Sequence, residues 1–325
     1  MRRIQSASHA LTKNRKRVKF VPMKMHQSLP TWRSLLYVPV NVPRFVERAH
    51  LRGADAMLLD LEDSIPGDQK ENARVALPGV VAQVACRGSD VLVRINRPLP
   101  LAVRDIAAAV SPGVCGICIT KVDSAGHVRL LEEVVADCEQ RAGMSPGQTR
   151  FIALIETPSA FARMAEIAAS SPRMIGLGLG AEDFALQCGF APSEEALTMP
   201  KQSMILAARA AGIMPIGYLG SVTDLGDEDD FRRMVRRSHR FGFDAATCIH
   251  PRQVAIVNEE YGVSPADAEA ARRLIAEDSR HAACGRGSFV LDGKMVDAPI
   301  VERAKRVLQR FEGSRPEAGA LTEIS

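Results

Sequence analysis

Two apolar segments of this chain each end in an acidic residue: Phe151-Ile-Ala-Leu-Ile-Glu-Thr157 and Ile175-Gly-Leu-Gly-Leu-Gly-Ala-Glu-Asp183. Glu156 and Asp183 are 27 positions apart, which is roughly the length of one strand–helix–strand unit. On consecutive strands of a parallel barrel, two such carboxylates converge at one mouth of the barrel. A hard divalent cation fits between them, because such ions prefer oxygen ligands. The segments therefore predict a metal-dependent enzyme.

On both sides of these segments, apolar runs of strand length alternate with longer, helix-like stretches. Eight runs are interpreted as strands: Ser34–Val40, Ala54–Leu61, Val91–Asn96, Val114–Lys121, Phe151–Glu156, Met174–Gly180, Ile213–Leu219 and Asp244–Ile249. The intervening helices are predicted at Val42–Arg52, Lys70–Ala85, Val103–Val110, Ala125–Ala142, Pro158–Ser170, Lys201–Ala211 and Asp229–Phe241. This alternation predicts an α/β fold of the (βα)8 TIM barrel type. A doubly wound open sheet is the alternative, but it usually has only about five to seven strands.

The predicted barrel covers residues 31–262 and closes with an eighth helix at Pro251–Tyr261. A C-terminal helical extension with a lid segment is predicted at residues 263–312. It contains a helix at Ser264–Ala283, a hairpin turn at Asp292-Gly293 and a last helix at Ile300–Phe311. Residues 313–325 are predicted to fray.

The first 30 residues form a basic tail that distorts the overall charge. They contain eight Lys and Arg and no Asp or Glu, so removing them changes the net charge from +4 to −4. One interpretation is a disordered extension, including one produced by a start assigned too early, with Met23 or Met25 as the true first residue. A mitochondrial presequence is a second interpretation, because such segments are Arg-rich and poor in acids. Nucleic-acid binding is disfavoured, since the tail lacks interleaved aromatic residues and the body offers no basic stripe.

The remaining composition indicates a cytoplasmic protein. The chain has no apolar run of about 18 residues, so no membrane span is predicted. Its seven cysteines are scattered, and an odd number does not make a disulfide framework. Cys115 and Cys118 form a CxxC pair, but side chains at i and i+3 of a strand point to opposite faces. A zinc or redox role for that pair is therefore not expected.

Polar residues at the carboxyl ends of the strands are the candidate site, because TIM-barrel active sites lie there. They are Asp60, Glu62 and Asp63 after the second strand, Arg94 and Asn96 at the third, Lys121 and Asp123 at the fourth, Glu156 at the fifth, Glu182 and Asp183 at the sixth and His250 at the eighth. A cluster of carboxylates without paired His or Cys favours Mg²⁺. The forked donors of Arg94 suit a substrate carboxylate or carbonyl oxygen. Barrel-end ion pairs and helix caps are the competing interpretation, above all for His250.

Gly176-Leu-Gly-Leu-Gly180 is a glycine-rich stretch that resembles a dinucleotide-binding loop only loosely. It lacks the GxGxxG spacing that leads into a helix, and an acidic pair follows it. It is interpreted instead as a strand whose glycines allow close approach at the barrel mouth.

The motifs as a set resemble the citrate lyase β-subunit-like proteins of the HpcH/HpaI aldolase/citrate lyase family. The resemblance extends from about Arg33 to Leu308. Its carriers are Arg33-Ser-Leu-Leu-Tyr-Val-Pro39, Gly53-Ala-Asp-Ala-Met-Leu-Leu-Asp-Leu-Glu-Asp63, Val93-Arg-Ile-Asn96, Ala153-Leu-Ile-Glu-Thr157, Gly180-Ala-Glu-Asp-Phe184, Gly242-Phe-Asp244, Ile249-His-Pro251 and Gly293-Lys-Met-Val-Asp-Ala-Pro299.

The resemblance implies a Mg²⁺-dependent carbon–carbon lyase acting on a 3-hydroxyacyl-CoA thioester. Members split citryl-CoA, malyl-CoA or citramalyl-CoA into acetyl-CoA and a 2-oxo acid. The metal-ligand positions of the family fall on Glu156 and Asp183, and Glu156 also touches substrate. The substrate-binding arginine falls on Arg94, where it would offset negative charge as the bond breaks. Glu62 and Asp63 would hold metal-bound waters.

The resemblance also implies an oligomer, commonly a homotrimer or a dimer of trimers. Asp297 in the Val-Asp-Ala-Pro segment would reach the site of a neighbouring subunit as an acid or base. Arg33, Arg44 and Lys121 are the basic residues expected near the mouth, where CoA phosphates would bind.

Two departures from the family pattern leave the acyl substrate open. Thr120-Lys121 stands where Pro-Lys is common, and the seventh strand reads Ile216-Gly-Tyr-Leu-Gly-Ser-Val-Thr-Asp224. Three alternatives follow. They are a malyl-CoA-type thioesterase or synthase, an aldolase for free hydroxy-oxo acids, and a carrier-linked subunit of a multi-subunit citrate lyase.

Overall fold

The computed structural model describes residues 29–221 and 227–313 of the chain. Its strands are β1 Ser34–Pro39, β2 Ala56–Asp60, β3 Asp90–Ile95, β4 Gly116–Ile119, β5 Arg150–Ile155, β6 Met174–Leu179, β7 Met214–Ile216, β8 Ala246–Cys248, β9 Phe289–Leu291 and β10 Lys294–Val296. Its helices are α1 Pro43–Ala49, α2 Lys70–Val84, α3 Leu99–Ala109, α4 Ala125–Arg141, α5 Pro158–Phe161, α6 Met164–Ala168, α7 Ala181–Cys188, α8 Glu194–Ala211, α9 Glu228–Phe241, α10 Pro251–Tyr261, α11 Pro265–Ala283 and α12 Ala298–Gly313. Most of the predicted basic tail and of the predicted C-terminal fraying lies outside the described residues.

Eight parallel strands form one sheet in the order β7-β6-β5-β4-β3-β2-β1-β8. The two end strands meet through a parallel bridge between Ile216 and Ala245. The backbone N–H of Gly217 also donates to the carbonyl of Ala245 at 2.8 Å. The sheet therefore closes on itself, with helices following its strands. The predicted (βα)8 TIM barrel is confirmed, and all eight predicted strands are present.

Alternating side chains along each strand face the two sides of the barrel wall, as the period of a strand requires. Leu35 of β1 packs inside the barrel with residues such as Leu58 and Leu92. Its neighbour Leu36 packs in the larger layer between the wall and the helices. Tyr37 returns to the inner face and packs against the interior cluster. Inward positions at the carboxyl end of a strand therefore point into the mouth.

The glycines of β6 make room for the neighbouring strand. A Cβ atom at Gly178 would lie 2.9 Å from the side chain of Leu154. A Cβ atom at Gly180, just past β6, would lie 2.6 Å from Cγ of Glu156. Both distances are too short for any side chain. These glycines therefore permit close approach at the mouth, which agrees with their interpretation from the sequence.

The C-terminal extension consists of α11, the β9–β10 hairpin and α12. Phe289, Val296 and Val301 form a small apolar cluster of their own within it. The far end of α12 is fastened at the end of the barrel opposite the mouth. There Arg310 donates to Asp244 Oδ1 at 3.1 Å, and Thr31 Oγ1 donates to the carbonyl of Gly313 at 2.6 Å.

Helix α3 begins at Leu99, four residues before its predicted start, and three further regions differ more strongly from their predicted form. The segment predicted as one helix at Pro158–Ser170 is divided into α5 and α6. Helix α7 was not predicted, because its first turn carries the acidic pair interpreted as a strand end. Helix α8 begins at Glu194 rather than at Lys201 and contains Pro200. A proline is unfavourable inside a helix, and for that reason the first half of α8 was missed.

None of the helices in residues 29–221 and 227–313 is long and apolar enough to cross a bilayer. The seven cysteines, all of which lie within the described residues, form no disulfide. Cys118 is buried, and burial raises the pKa of its thiol. The CxxC pair therefore forms no disulfide.

Candidate active site

A cavity of about 610 Å³ opens at the carboxyl ends of the barrel strands. Its wall includes Tyr37, Asp60, Arg94, Glu156, Asp183 and Lys201. Four of these residues were predicted from the strand ends, and the barrel topology brings them together. The cavity lies where the active sites of TIM-barrel enzymes are found.

Glu156 directly follows β5 and is only 3% exposed. Its Oε2 accepts a hydrogen bond from the backbone N–H of Lys121, whose φ of +46° places that residue in the left-handed region. Burial raises the pKa of Glu156 to about 7, and the charges of Glu62 and Asp183 act in the same direction. The carboxylate form of Glu156 therefore needs a cation beside it.

Asp183 lies in the first turn of α7, and its side chain is 38% exposed. Its carboxylate is 3.8 Å from Nζ of Lys121. No group of three or more His, Cys, Asp and Glu side chains in the described part of the chain is arranged to hold a metal ion. Two carboxylates on neighbouring strands nevertheless suit Mg²⁺, which commonly takes one or two and leaves its other positions to water and substrate. Glu156 and Asp183 thus fit such an ion.

Arg94, on the inner face of β3, is held in a fixed orientation. Its Nε and Nη2 donate to the two oxygens of Asp60 at 2.7 and 2.6 Å. Its Nη1 lies 2.9 Å from Oε2 of Glu62. Burial opposes ionisation of Asp60, but the hydrogen bond and charge of Arg94, together with the hydrogen bonds from Ser64 and the backbone of Glu62, outweigh burial and lower the pKa of Asp60. The remaining N–H groups of Arg94 stay available to a ligand in the cavity.

Glu62, Asp63 and Lys121 form the adjoining part of the site. The ammonium of Lys121 lies 2.5 Å from Glu62 Oε1 and 3.5 Å from Asp63 Oδ1. Glu62 is buried and Asp63 is largely exposed. Burial raises the pKa of Glu62, partly offset by Arg94 and by Lys121. Together with Asp60, Glu156 and Asp183, these acids make five carboxyl groups against the two cations Arg94 and Lys121, so a bound cation would offset an excess of acids.

Arg33 is the one predicted substrate-binding residue that lies elsewhere. It precedes β1, and therefore sits at the end of the barrel opposite the mouth. Its guanidinium is buried against Asp55, with Nε 2.9 Å from Oδ2, and faces the carbonyl of Asn258. Arg33 thus forms a structural ion pair with Asp55 and does not lie at the mouth, where it was expected.

Other predicted residues have structural partners. Asn96 turns away from the mouth, and its side chain bonds Asp105 and the carbonyl of Leu61. Asp123 pairs with Arg97 outside the cavity wall. His250 borders the cavity, but its Nδ1 also caps α10 by accepting from the N–H of Arg252 at 3.2 Å.

Glu182 borders the cavity and accepts a hydrogen bond from Ser221 Oγ. Asp297 precedes α12 and is absent from the wall of its own barrel mouth, as far as the described residues define that wall. Its backbone carbonyl accepts from Ile300 N at 3.0 Å. Within a single chain, Asp297 is therefore not brought to Glu156 and Asp183.

Three features of the site were missed from the sequence. Asp60 was noted as a strand end but not as the residue that orients Arg94. Tyr37 was not singled out, although its place on the inner face of β1 follows from the strand period. Lys201 is buried in α8, where burial lowers its pKa to about 7, and it donates to the carbonyls of Leu219 and Gly220. It thereby fastens the loop after β7, and only the full extent of α8 indicates its position.

Comparison with known proteins gives a consistent result. The pattern described as HpcH/HpaI aldolase/citrate lyase matches residues 33–251. The citrate lyase subunit beta of Leuconostoc mesenteroides is 34% identical over 280 residues, covering 85% of this chain and 92% of that protein. A (3S)-malyl-CoA thioesterase of Cereibacter sphaeroides is 34% identical over 294 residues, covering 88% and 96%.

A solved structure is similar over most of the chain. It is protein CitE from Mycobacterium tuberculosis in complex with magnesium, acetoacetate and coenzyme A. It has a TM-score of 0.67 and 27% identity, and the match covers 88% of this chain and 99% of that one.

Proposed function

Because the chain belongs to the HpcH/HpaI aldolase/citrate lyase family, we propose that it is a Mg²⁺-dependent carbon–carbon lyase. Its substrate is a 3-hydroxyacyl-CoA of the citramalyl-CoA, malyl-CoA or citryl-CoA type, and its products are acetyl-CoA and a 2-oxo acid. The observation that carries the proposal is the meeting of Glu156, Asp183 and the pre-oriented Arg94 in one cavity. The CitE relative was solved with magnesium and coenzyme A bound, which supports the proposal that this chain binds Mg²⁺ and a CoA thioester.

Glu156 and Asp183 would hold the ion. When bound, Mg²⁺ supplies Lewis-acid stabilisation of the hydroxyl and carboxylate oxygens of the acid portion. The buried position of Glu156 requires that it lose its proton before the ion binds. Lys121 donates its backbone N–H to Glu156 and so orients the carboxylate toward the cavity.

Arg94 would bind the substrate oxygen on which negative charge grows as the bond breaks. The broken bond joins the carbinol carbon to the carbon beside the thioester. Because Asp60 and Glu62 hold the guanidinium in place, Arg94 does not need to reorient during the reaction. Fixed donors of this kind stabilise a transition state more than a mobile side chain does.

The proton balance requires one group to take the hydroxyl proton and one to protonate the enolate carbon. Glu62 is suited to hold a proton beside Arg94, because burial raises its pKa. Asp297 is proposed as the group that protonates the enolate carbon, acting from a neighbouring subunit. The active form is accordingly a homotrimer or a dimer of trimers.

The CoA end of the substrate would follow the α1 side of the mouth. Arg44, Phe45 and Arg52 line this side of the cavity. Phe45 is 48% exposed, and the guanidinium of Arg44 lies 4.8 Å from the centre of its ring. An exposed aromatic ring beside two cations suits a nucleotide with phosphates.

Hydrolysis of the thioester is the second candidate, supported by the similarity to a (3S)-malyl-CoA thioesterase. It would use the same site, with water attacking the thioester carbonyl. There are two other candidates. The chain could cleave a free hydroxy-oxo acid, or it could act as a carrier-linked subunit of a multi-subunit citrate lyase. All of them predict ligand binding at Glu156 and Asp183, so only the products separate them.

The test measures products from citramalyl-CoA, malyl-CoA and citryl-CoA in parallel, with Mg²⁺ or with EDTA. Acetyl-CoA and the 2-oxo acid are expected from at least one thioester in Mg²⁺ and from none in EDTA. Free CoA thiol without acetyl-CoA would identify a thioesterase instead. Asp183→Asn is expected to abolish Mg²⁺-dependent turnover while the fold survives, and unchanged activity would contradict the metal assignment.

A further inference from the structure

The three tyrosines of the chain differ in how their hydroxyl groups are satisfied. The hydroxyl of Tyr218 donates to the carbonyl of Thr247 at 2.6 Å, and that of Tyr261 donates to the carbonyl of Gly217 at 2.8 Å. The hydroxyl of Tyr37 has no hydrogen-bond partner within residues 29–221 and 227–313. Tyr37 is only half-buried and lines the cavity, so its hydroxyl is open to a group that enters the cavity.

Tyr37 is placed where a ligand could be that partner. It lies on the inner face of β1 and lines the cavity at the barrel mouth. The guanidinium of Arg94 lies 4.9 Å from the centre of its ring. Asp60 and Glu156 are close enough to influence its ionisation. The phenol therefore lies inside the barrel, beside the proposed substrate-binding arginine and within electrostatic reach of a proposed metal ligand.

The phenol can act only as a neutral group in this position. Burial raises the pKa of Tyr37 well above its ordinary value, with smaller contributions from the surrounding charges. At neutral pH it therefore keeps its proton and can donate it in a hydrogen bond. The acids nearest to it already engage Arg94 and Lys121, so the acceptor must come from whatever fills the cavity.

We propose that the hydroxyl of Tyr37 donates a hydrogen bond to an oxygen of the acid portion of the bound thioester, and so helps to select that acid. The inference rests on the function proposed above. The acid portion is favoured over CoA because Tyr37 lies inside the barrel, whereas Arg44, Phe45 and Arg52 line the α1 side of the mouth. A ligand that places an oxygen beside the phenol accepts a hydrogen bond from the hydroxyl of Tyr37. A ligand that places a methyl group there leaves this hydroxyl without an acceptor and is therefore bound more weakly.

Tyr37→Phe tests the proposal, because it removes one oxygen and keeps the ring beneath Arg94. Binding of pyruvate, oxaloacetate and glyoxylate in the presence of Mg²⁺ is measured by calorimetry. The variant is expected to bind the tightest of these oxo acids about ten- to a hundredfold more weakly, as expected for loss of one hydrogen bond to a charged ligand. The kcat/KM for thioester cleavage should fall by a similar factor.

Tyr261→Phe is the matched control, since Tyr261 does not itself line the cavity and its hydroxyl is already bonded to a backbone carbonyl, that of Gly217. It should lower the thermal midpoint and leave oxo-acid affinity unchanged. Affinity of Tyr37→Phe within twofold of the wild type for all three acids would overturn the proposal. So would failure of the wild type to bind any of the three.

The same measurements separate this inference from the proposed reaction. If the wild type cleaves no thioester but Tyr37→Phe still weakens oxo-acid binding, the inference stands and the lyase proposal fails. If the wild type cleaves a thioester and Tyr37→Phe behaves like it, the inference alone fails.

Discussion

Glu156 combines two properties that oppose each other in the absence of a metal ion. It is buried beside other acids, which raises its pKa to about 7, and it is the proposed ligand that must be ionised to bind Mg²⁺. A proton and a metal ion therefore compete for the same carboxylate. This competition makes both metal affinity and stability depend on pH in a defined direction.

We expect the apparent affinity for Mg²⁺ to fall about tenfold for each pH unit below pH 7, because a proton must be displaced from Glu156. Calorimetric titration with Mg²⁺ between pH 5.5 and pH 8 measures this slope. An affinity that stays constant over that range would show that Glu156 is ionised without the ion.

The metal-free protein should respond to pH in the opposite sense. An unfolded glutamate has a pKa of about 4.5, so folded Glu156 retains a proton that the unfolded chain has released. Its contribution to the free energy of unfolding is fully present below about pH 4.5 and is lost as the pH rises through about 7. Thermal midpoints in EDTA should accordingly decline over this window for the wild type and decline less for Glu156→Gln.

At the outer edge of the same cavity, Arg44 offers a test of the CoA-binding face. Arg44→Ser should raise the KM for the thioester about five- to twentyfold, because it removes a charge-assisted contact with phosphate, and should change kcat little. Arg48→Ser is the matched control, since Arg48 is exposed on the same helix but does not line the cavity. Equal effects of the two variants on KM would indicate only a general charge effect.

The sequence predicted the place of those cavity residues that are charged and that lie at the carboxyl end of a strand. Glu156, Asp183 and Arg94 were found because each is a charged residue at or just after the carboxyl end of an apolar run. Arg33 was assigned to the wrong end, although it precedes its strand and strand direction alone would have placed it correctly. Tyr37 was missed because a neutral aromatic residue inside a barrel looks like ordinary core.

At the scale of the element, β6 shows how backbone composition sets side-chain geometry. Its inward positions carry glycine, and the space they leave is filled from both sides, by Ile216 of β7 and by side chains of β5 up to Glu156, which directly follows that strand. The carboxylate can approach the wall of the barrel only because residue 180 has no Cβ atom. The glycine-rich segment thus makes room for the side chain of Glu156 on the neighbouring part of the barrel wall.

Gly180→Ala should therefore disturb the site rather than the backbone. The φ of −73° at residue 180 is accessible to alanine, but the new Cβ would lie 2.6 Å from Cγ and Oε1 of Glu156. We expect Mg²⁺ affinity to fall at least about tenfold and the free energy of unfolding to fall by about 1–3 kcal/mol, as for an overpacked site. Calorimetry and denaturant unfolding measure the two effects.

Gly79→Ala is the control for this substitution. Gly79 is exposed within α2 and has open space around it, so alanine should stabilise the helix by about 0.5–1 kcal/mol and leave Mg²⁺ binding unchanged. If both glycine variants bind Mg²⁺ like the wild type, the close approach of residue 180 to Glu156 has no functional role.

The elements themselves were predictable to different degrees. Strands of the barrel were found because they are nearly continuous apolar runs, buried on both faces. Their observed ends differ from the prediction mainly at β7 and β8, where the chain leaves the sheet early. Helix α7 and the first half of α8 were not found, since acidic residues and an internal proline conceal the helical period there.

At the scale of the whole molecule, one chain does not supply every residue proposed for the reaction. Asp297 belongs to the C-terminal extension and is not part of the wall of its own barrel mouth within the described residues. The lyase proposal consequently needs a second subunit to complete each site. This requirement can be tested without a structure of the assembly.

Asp183→Asn and Asp297→Ala should each be nearly inactive alone but should complement each other when co-expressed. In a cyclic trimer of equal, randomly mixed subunits, about a quarter of the sites would combine an intact barrel with an intact Asp297 from its neighbour. Turnover of the mixture should then reach about a quarter of the wild-type value. Purification through an affinity tag carried by only one of the two variants must show that mixed oligomers form, and their inactivity would contradict a shared site.

The contact between Thr31 and Gly313 has a practical consequence for handling the protein. Because it lies at the end of the barrel opposite the cavity, an affinity tag, a surface tether or a fused partner attached near residue 31 or 313 would leave the mouth facing the solution. The same contact would allow a short peptide to join these two positions into a circular backbone. Such a ring would close with little loss of chain entropy, since its ends already touch.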